Sequence, residues 1–195
     1  MTFWSTRDFK ENFERILPKK QDQRYFQLQE GDKVRIEKRT QGSSIELSLG
    51  EEVFISSQRD LKLLKKEDKL VTIAPGDFAL LITKEWIKIP SDCMGFIAMK
   101  TKHKLSGLIN VSGFHVDPGF YGRLKFSVYN AGTANVVLKY GEATFILFVT
   151  YVRDGVDPNI SGSHWGQEHI EPHEMTPLAG CWNPHSQHRT PLKEY

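Results

Sequence analysis

Between residues 33 and 152 apolar and polar positions alternate in short runs, and Gly, Pro, Asn or Asp separates most of them. That is the pattern of strands with one buried face. It predicts strands over residues 33–37, 44–49, 52–56, 69–73, 78–86, 95–99, 107–111, 123–129, 134–138 and 144–152. Within 123–129 the period of two puts Leu124, Phe126 and Val128 on one face. Lys125, Ser127 and Tyr129 then share the other. A helical period occurs only near the N-terminus, where Phe9, Phe13, Ile16 and Leu17 line one side. Ser5 or Thr6 can cap that helix and Pro18 ends it. The polar stretch 19–29 and the charged stretch 62–68 read as connections. After Asp154 both periods fade into a segment rich in Pro, Gly, His and Ser. The prediction is one all-β domain over 1–153, a distorted barrel, followed by an irregular tail over 154–195.

Composition narrows this picture only a little. A chain of 195 residues with 39% hydrophobic content can bury a core of its own. A formal charge of +2 supplies no global argument for nucleic acid or membrane binding. No apolar run is long enough to span a bilayer, and charges interrupt the N-terminal residues where a signal peptide would have its core. Two cysteines, Cys93 and Cys181, make no disulfide framework. The expectation is a cytoplasmic protein with reduced thiols.

The densest chemistry lies in 112–132, SGFHVDPGFYGRLKFSVYNAG. Asp117 stands in a turn set by Pro118 and Gly119 and feeding directly into a strand. An acid held there can accept a hydrogen bond from a sugar hydroxyl or activate a water. Asp before Pro is also a common turn starter, so the local pattern leaves both readings open.

This stretch resembles the turn-and-strand signature of the dCTP deaminase and dUTPase superfamily. Three further segments resemble the same family in the same order. They are QGSSIELSLG (41–50), IAPGDFALLITKE (73–85) and LKYGEATFILF (138–148). The resemblance covers roughly residues 1–150 and implies a dUTPase-like β-clip barrel. It also implies a homotrimer whose sites, at subunit boundaries, take a pyrimidine deoxynucleoside triphosphate with Mg²⁺ riding on the phosphates.

Carried over position by position, Asp117 matches the family aspartate that meets the deoxyribose 3′-hydroxyl and, in the diphosphatase branch, handles the attacking water. Phe120 falls near the aromatic that shields the sugar, with Tyr121 beside it as a competitor. Gly113 and Phe114 match the backbone that reads the pyrimidine edge. The family's phosphate-binding element is replaced by KTKHKLSGL (100–108). There Lys100 stands for its first arginine, Thr101 for its first serine and Lys102 for its second. Leu105 falls at the second arginine, which Lys104 can replace with a one-residue shift. Lysines serve phosphates as point charges; otherwise the element is a solvated basic loop. Ser127 occupies the position of the glutamate that shuttles protons in the deaminase branch, and a serine is no general base without a partner. Glu142, the nearest downstream carboxylate, matches a different place.

Five of the seven histidines, His164, His169, His173, His185 and His188, fall in the tail near Cys181. Pro172 interrupts their spacing and no paired Cys-x2-Cys or HExxH pattern accompanies them, so no metal site is predicted. The segment SHWGQ (163–167) resembles weakly the family's closing segment, which implies a lid in which Trp165 stacks and Gln167 hydrogen-bonds to the ligand. Three activities stay open on these residues: deamination, diphosphate hydrolysis, and nucleotide binding without turnover.

Overall fold

The computed structural model describes residues 2–16, 40–64, 70–152 and 167–175. The strand expected at 33–37 lies outside the described residues, as do His164, Trp165, Cys181, His185 and His188. The predicted N-terminal helix forms as two short pieces, α1 (Thr6–Glu11) and α2 (Phe13–Ile16), divided at Asn12. Ser5 caps α1 in a reciprocal box with Asp8, and Phe9, Phe13 and Ile16 bury against the sheet.

Strands β1 (Thr40–Gln41), β2 (Ser44–Ile55), β3 (Asp60–Leu63), β5 (Phe78–Lys88), β6 (Cys93–Met99), β7 (Leu108–Asn110), β8 (His115–Val116), β9 (Tyr121–Asn130) and β11 (Ala143–Tyr151) make one sheet. Its order is β7-β9-β5-β2-β11-β6-β8, and β1 and β3 each pair with β2. The remaining strands, β4 (Leu70–Ile73) and β10 (Val136–Lys139), form a separate antiparallel ribbon. The sheet curls into a half-barrel, so the expected all-β architecture stands. Its concave side is filled by one core that includes Ile45, Leu47, Val53, Leu81, Leu124, Phe126, Val128, Phe145 and Leu147. The rings of Phe126 and Phe145 stack at 3.9 Å across it. The alternation read in β9 is therefore the one observed.

Three expectations need correction. The strands at 44–49 and 52–56 are one strand, β2, whose first half pairs with β11 and whose second half pairs with β5 and β3. The register shifts around Gly50, where a Cβ would meet Arg123 Nη2 at 2.4 Å and the Ile82 and Thr83 carbonyls at 2.9 Å. Only glycine lets the strand cross there, which is why the sequence looked broken. The charged connection at 62–68 begins inside β3, a hairpin partner of β2. The basic element at 100–108, expected as a loop or strand end, opens as helix α3 (Thr101–Leu105).

Candidate functional site

The Asp117 turn is built from both sides. Upstream, β8 pairs with β6 (Gly95 opposite Val116, Phe96 opposite His115). Across the turn the Phe120 amide donates to the Asp117 carbonyl at 3.1 Å, with Gly119 at φ +79°. Pro second and a left-handed Gly third is the type II arrangement. The Gly119 amide donates to the Ile89 carbonyl at 3.0 Å, and the Ile89 amide donates to the Phe120 carbonyl at 2.9 Å. These bonds hold the backbone while the Asp117 side chain stays 56% exposed. His115 Nε2 lies 3.5 Å from Asp117 Oδ1. Sequence reasoning missed this histidine, although its signal was present: two residues apart, where the strand runs into the turn, His115 and Asp117 are both exposed.

The aromatic expected over the sugar is buried in this copy of the chain. Phe120 is 7% exposed and belongs to the core. Tyr121 is also buried, with its ring 5.6 Å from Trp86. The aromatic presented to solvent beside the turn is Phe114, 66% exposed and stacked at 6.0 Å on Phe96. Its carbonyl accepts from the Ile97 amide at 2.9 Å, so that oxygen already has a partner within the sheet. Gly113 is exposed, with open space where a Cβ would be.

The basic element starts where β6 ends. The Lys100 amide donates to the Thr144 carbonyl at 2.9 Å, which docks α3 against β11. Lys100 pairs with Glu46, and Lys102 Nζ pairs with Glu142 Oε1 at 2.6 Å. Burial pushes the Glu142 carboxyl up, but the hydrogen bond and charge of Lys102 outweigh it and hold the group below its ordinary value. Thr101 and Lys104 are exposed. His103 on α3 is 2% exposed, and burial lowers its pKa.

Ser127 is half-buried near the far end of β9, opposite Leu80, on the convex face with Lys125 and Tyr129. Its carbonyl accepts from the Val111 amide at 2.8 Å. Tyr121 and Ser127 are six steps apart along the strand, or about 20 Å. Along β6, Gly95 beside the turn and Lys100 are about 17 Å apart. Among the described residues no hydrogen bond or ion pair joins Asp117, Ser127 and these lysines within one copy of the chain.

Gln167, expected in a lid, is placed against β9 instead. It bridges Gly122 in parallel, and its side-chain amide donates to the Arg123 carbonyl at 2.7 Å. Its side-chain donor and its backbone carbonyl are directed at its own sheet. Among the described residues no group of three or more His, Cys, Asp or Glu is arranged to hold a metal ion, and no helix is long and apolar enough to cross a membrane. Cys93 is buried in the core, and burial pushes its thiol up to about 12.

Comparison with known proteins fits this architecture. The dCTP deaminase-like family profile matches residues 16–152. The chain is 32% identical over 134 residues to the dCTP deaminase of Pyrococcus horikoshii, covering 69% of this chain and 83% of that protein. It is 33% identical over 136 residues to the dCTP deaminase of Thermococcus kodakarensis, covering 69% and 84%. The structure of the 2′-deoxycytidine 5′-triphosphate deaminase from Agrobacterium tumefaciens superposes with a TM-score of 0.56 at 11% identity. That superposition covers 76% of this chain but only 48% of the Agrobacterium chain, and it speaks for the fold alone. By the length of the profile match and the extent of likeness to the archaeal enzymes, this chain belongs to the dCTP deaminase-like family.

Proposed function

We propose that the chain binds pyrimidine deoxynucleoside triphosphates in sites shared among three copies and cleaves the phosphate chain of the bound nucleotide. The observation that carries this reading is the exposed Asp117 carboxylate on a rigid turn, with His115 3.5 Å behind it. Asp117 accepts the sugar 3′-hydroxyl and orients a water. The water oxygen attacks the α-phosphorus, its proton passes to Asp117, and the bond to the β-phosphate breaks with the electron pair leaving on pyrophosphate. Phe114 lies where it can cover the base, and Gly113 leaves room for the base edge. Lys104, Lys100, Lys102 and Thr101 of a neighbouring copy supply positive charge and a hydroxyl to the phosphates. Mg²⁺ would arrive on the triphosphate and neutralise charge on its oxygens. Ser127 offers no titratable group where deamination of cytosine would need a proton carrier.

A second reading, a nucleotide binder without turnover, is favoured by one observation. Lys100 and Lys102 are already paired with Glu46 and Glu142. The test is chromatography of products from dCTP and dUTP with Mg²⁺, on wild type and Asp117→Asn. Monophosphate with pyrophosphate, lost in the variant by at least a hundredfold, is the expected outcome. Formation of dUTP from dCTP would sink the hydrolytic reading in favour of deamination. Tight binding without product would leave the silent binder.

A further inference from the structure

Along β9, neighbouring strands leave one edge partly open. Strand β5 pairs along nearly its whole length, whereas β7 reaches only Val128 to Asn130. The first residues of β9, which continue directly from the Asp117 turn, are met on that side by residues 167–175. The Arg123 amide donates to the Gln167 carbonyl at 2.7 Å, and the Gln167 side chain donates back to the Arg123 carbonyl at 2.7 Å. Gly122 has φ +152°, and a Cβ there would come within 2.6 Å of the Gln167 carbonyl oxygen. Such a close approach requires glycine.

The rest of the segment is anchored across the convex face. Glu52 of β2 accepts from the Ile170 amide at 2.7 Å and pairs with His169 Nδ1. Ile170 is 3% exposed and packs with Phe54, Leu80 and Ile82, flanked by Met175. Helix α4 (Pro172–Met175) then returns to β9, where Glu174 takes Lys125 Nζ at 2.7 Å. Beneath it the Arg123 guanidinium is buried, held by both Glu51 oxygens at 2.8 Å and by the Thr83 carbonyl at 2.7 Å.

We infer that residues 167–175 are a clamp in cis on the start of β9, with Gln167 the positioning residue for the Asp117 turn. The clamp adds a strand-like contact where the sheet edge is otherwise open, and Ile170 supplies the apolar hold. Asp117 is joined to Arg123 by a short turn whose hydrogen bonds end on Ile89, just past β5, and on Gln167. Freeing Gln167 therefore loosens the carboxylate that meets nucleotide. The functional half of this inference rests on the reading of Asp117 given above; the mechanical half does not.

The test uses the full chain with Gln167→Glu, which replaces the side-chain donor by a charged acceptor, and Ile170→Asp, which removes the apolar hold, with Ile170→Leu as the conservative control. Amide hydrogen exchange is followed over 117–125 and 167–175, alongside dUTP binding in Mg²⁺ and the melting temperature. Exchange over 117–125 should quicken at least tenfold in Ile170→Asp and more modestly in Gln167→Glu, and Ile170→Leu should match wild type. Binding of dUTP should weaken about fivefold in Gln167→Glu with little change in melting temperature. If 167–175 exchanges freely in either variant while 117–125 and dUTP binding stay as in wild type, the segment is a passive cover and the inference is overturned. If wild type binds neither dUTP nor dCTP, the functional reading fails, and the exchange data alone decide whether the clamp exists. Should Ile170→Asp not fold, Gln167→Glu carries the test.

Discussion

His103 shows how a single residue can act apart from the acid at the turn. It is buried on a helix that otherwise presents lysines, and burial keeps its imidazole below its ordinary pKa. The charge of Lys102 works in the same direction, and Glu142 opposes both. A depressed value in the fold means that the unfolded chain takes up the proton first. The stability due to neutral His103 is therefore complete above pH of about 6.5 and is lost as pH falls through the lower folded value. Denaturant midpoints for wild type and His103→Gln, measured from pH 8 to 5, check this: the wild type should lose stability below that point and the variant should be flatter. Equal slopes would mean that some other group governs this window. Elsewhere, a carboxylate's partner sets its behaviour. Burial raises Glu51, but the bonds and charge of Arg123 outweigh burial and keep it ionised below the ordinary carboxylate range.

At the scale of elements, the sheet depends on a few crossings. Strand β2 serves two sets of neighbours across a register shift between Leu49 and Val53, and β5 accommodates β9 through a register shift between Ile82 and Trp86. The polar groups of that irregular stretch find local partners. Thr83 Oγ1 accepts from the Leu124 amide at 2.9 Å, and Glu85 accepts from the Ser48 amide at 2.8 Å. Buried polar groups satisfied this way cost little, whereas an orphaned one costs about 1–3 kcal/mol. The apolar link between β9 and β11 is the Phe126–Phe145 stack. Truncation in Phe126→Ala should cost about 3–5 kcal/mol through lost burial and the cavity left behind, read as a shift in the urea midpoint at unchanged slope. A shift below 1 kcal/mol would show that the core closes over the gap.

For the molecule as a whole, the proposed function calls for more than one copy. The turn acid and the lysine helix sit near opposite ends of β6, so subunits that lack one can be completed by subunits that lack the other. Neither Asp117→Asn nor Lys102→Ala should turn over nucleotide alone. Mixed and reassembled at equal amounts, they should recover about a quarter of wild-type activity if each site draws one group from each of two copies. No recovery from a mixture whose mass, by light scattering, is that of a trimer would place both groups within one chain's site.

The sequence by itself determined most of the strands, the faces of β9, the capped start of α1 and the turn that displays Asp117. Each is a local matter of period, Pro and Gly conformation, or hydrogen bonding within a few residues. It also carried the family, because the turn and its flanking segments keep their order along the chain. Only the tertiary structure decided what depends on distant neighbours. Phe120 packs into the core because the turn's hydrogen bonds to Ile89 hold it against the sheet. The lysines face Glu46 and Glu142 because α3 docks beside β2 and β11. Gly50 reads as a break until Arg123, seventy-three positions later, is seen to need its space. Gln167 clamps β9 because that edge is open only once β7 has stopped short, a vacancy that no local pattern encodes.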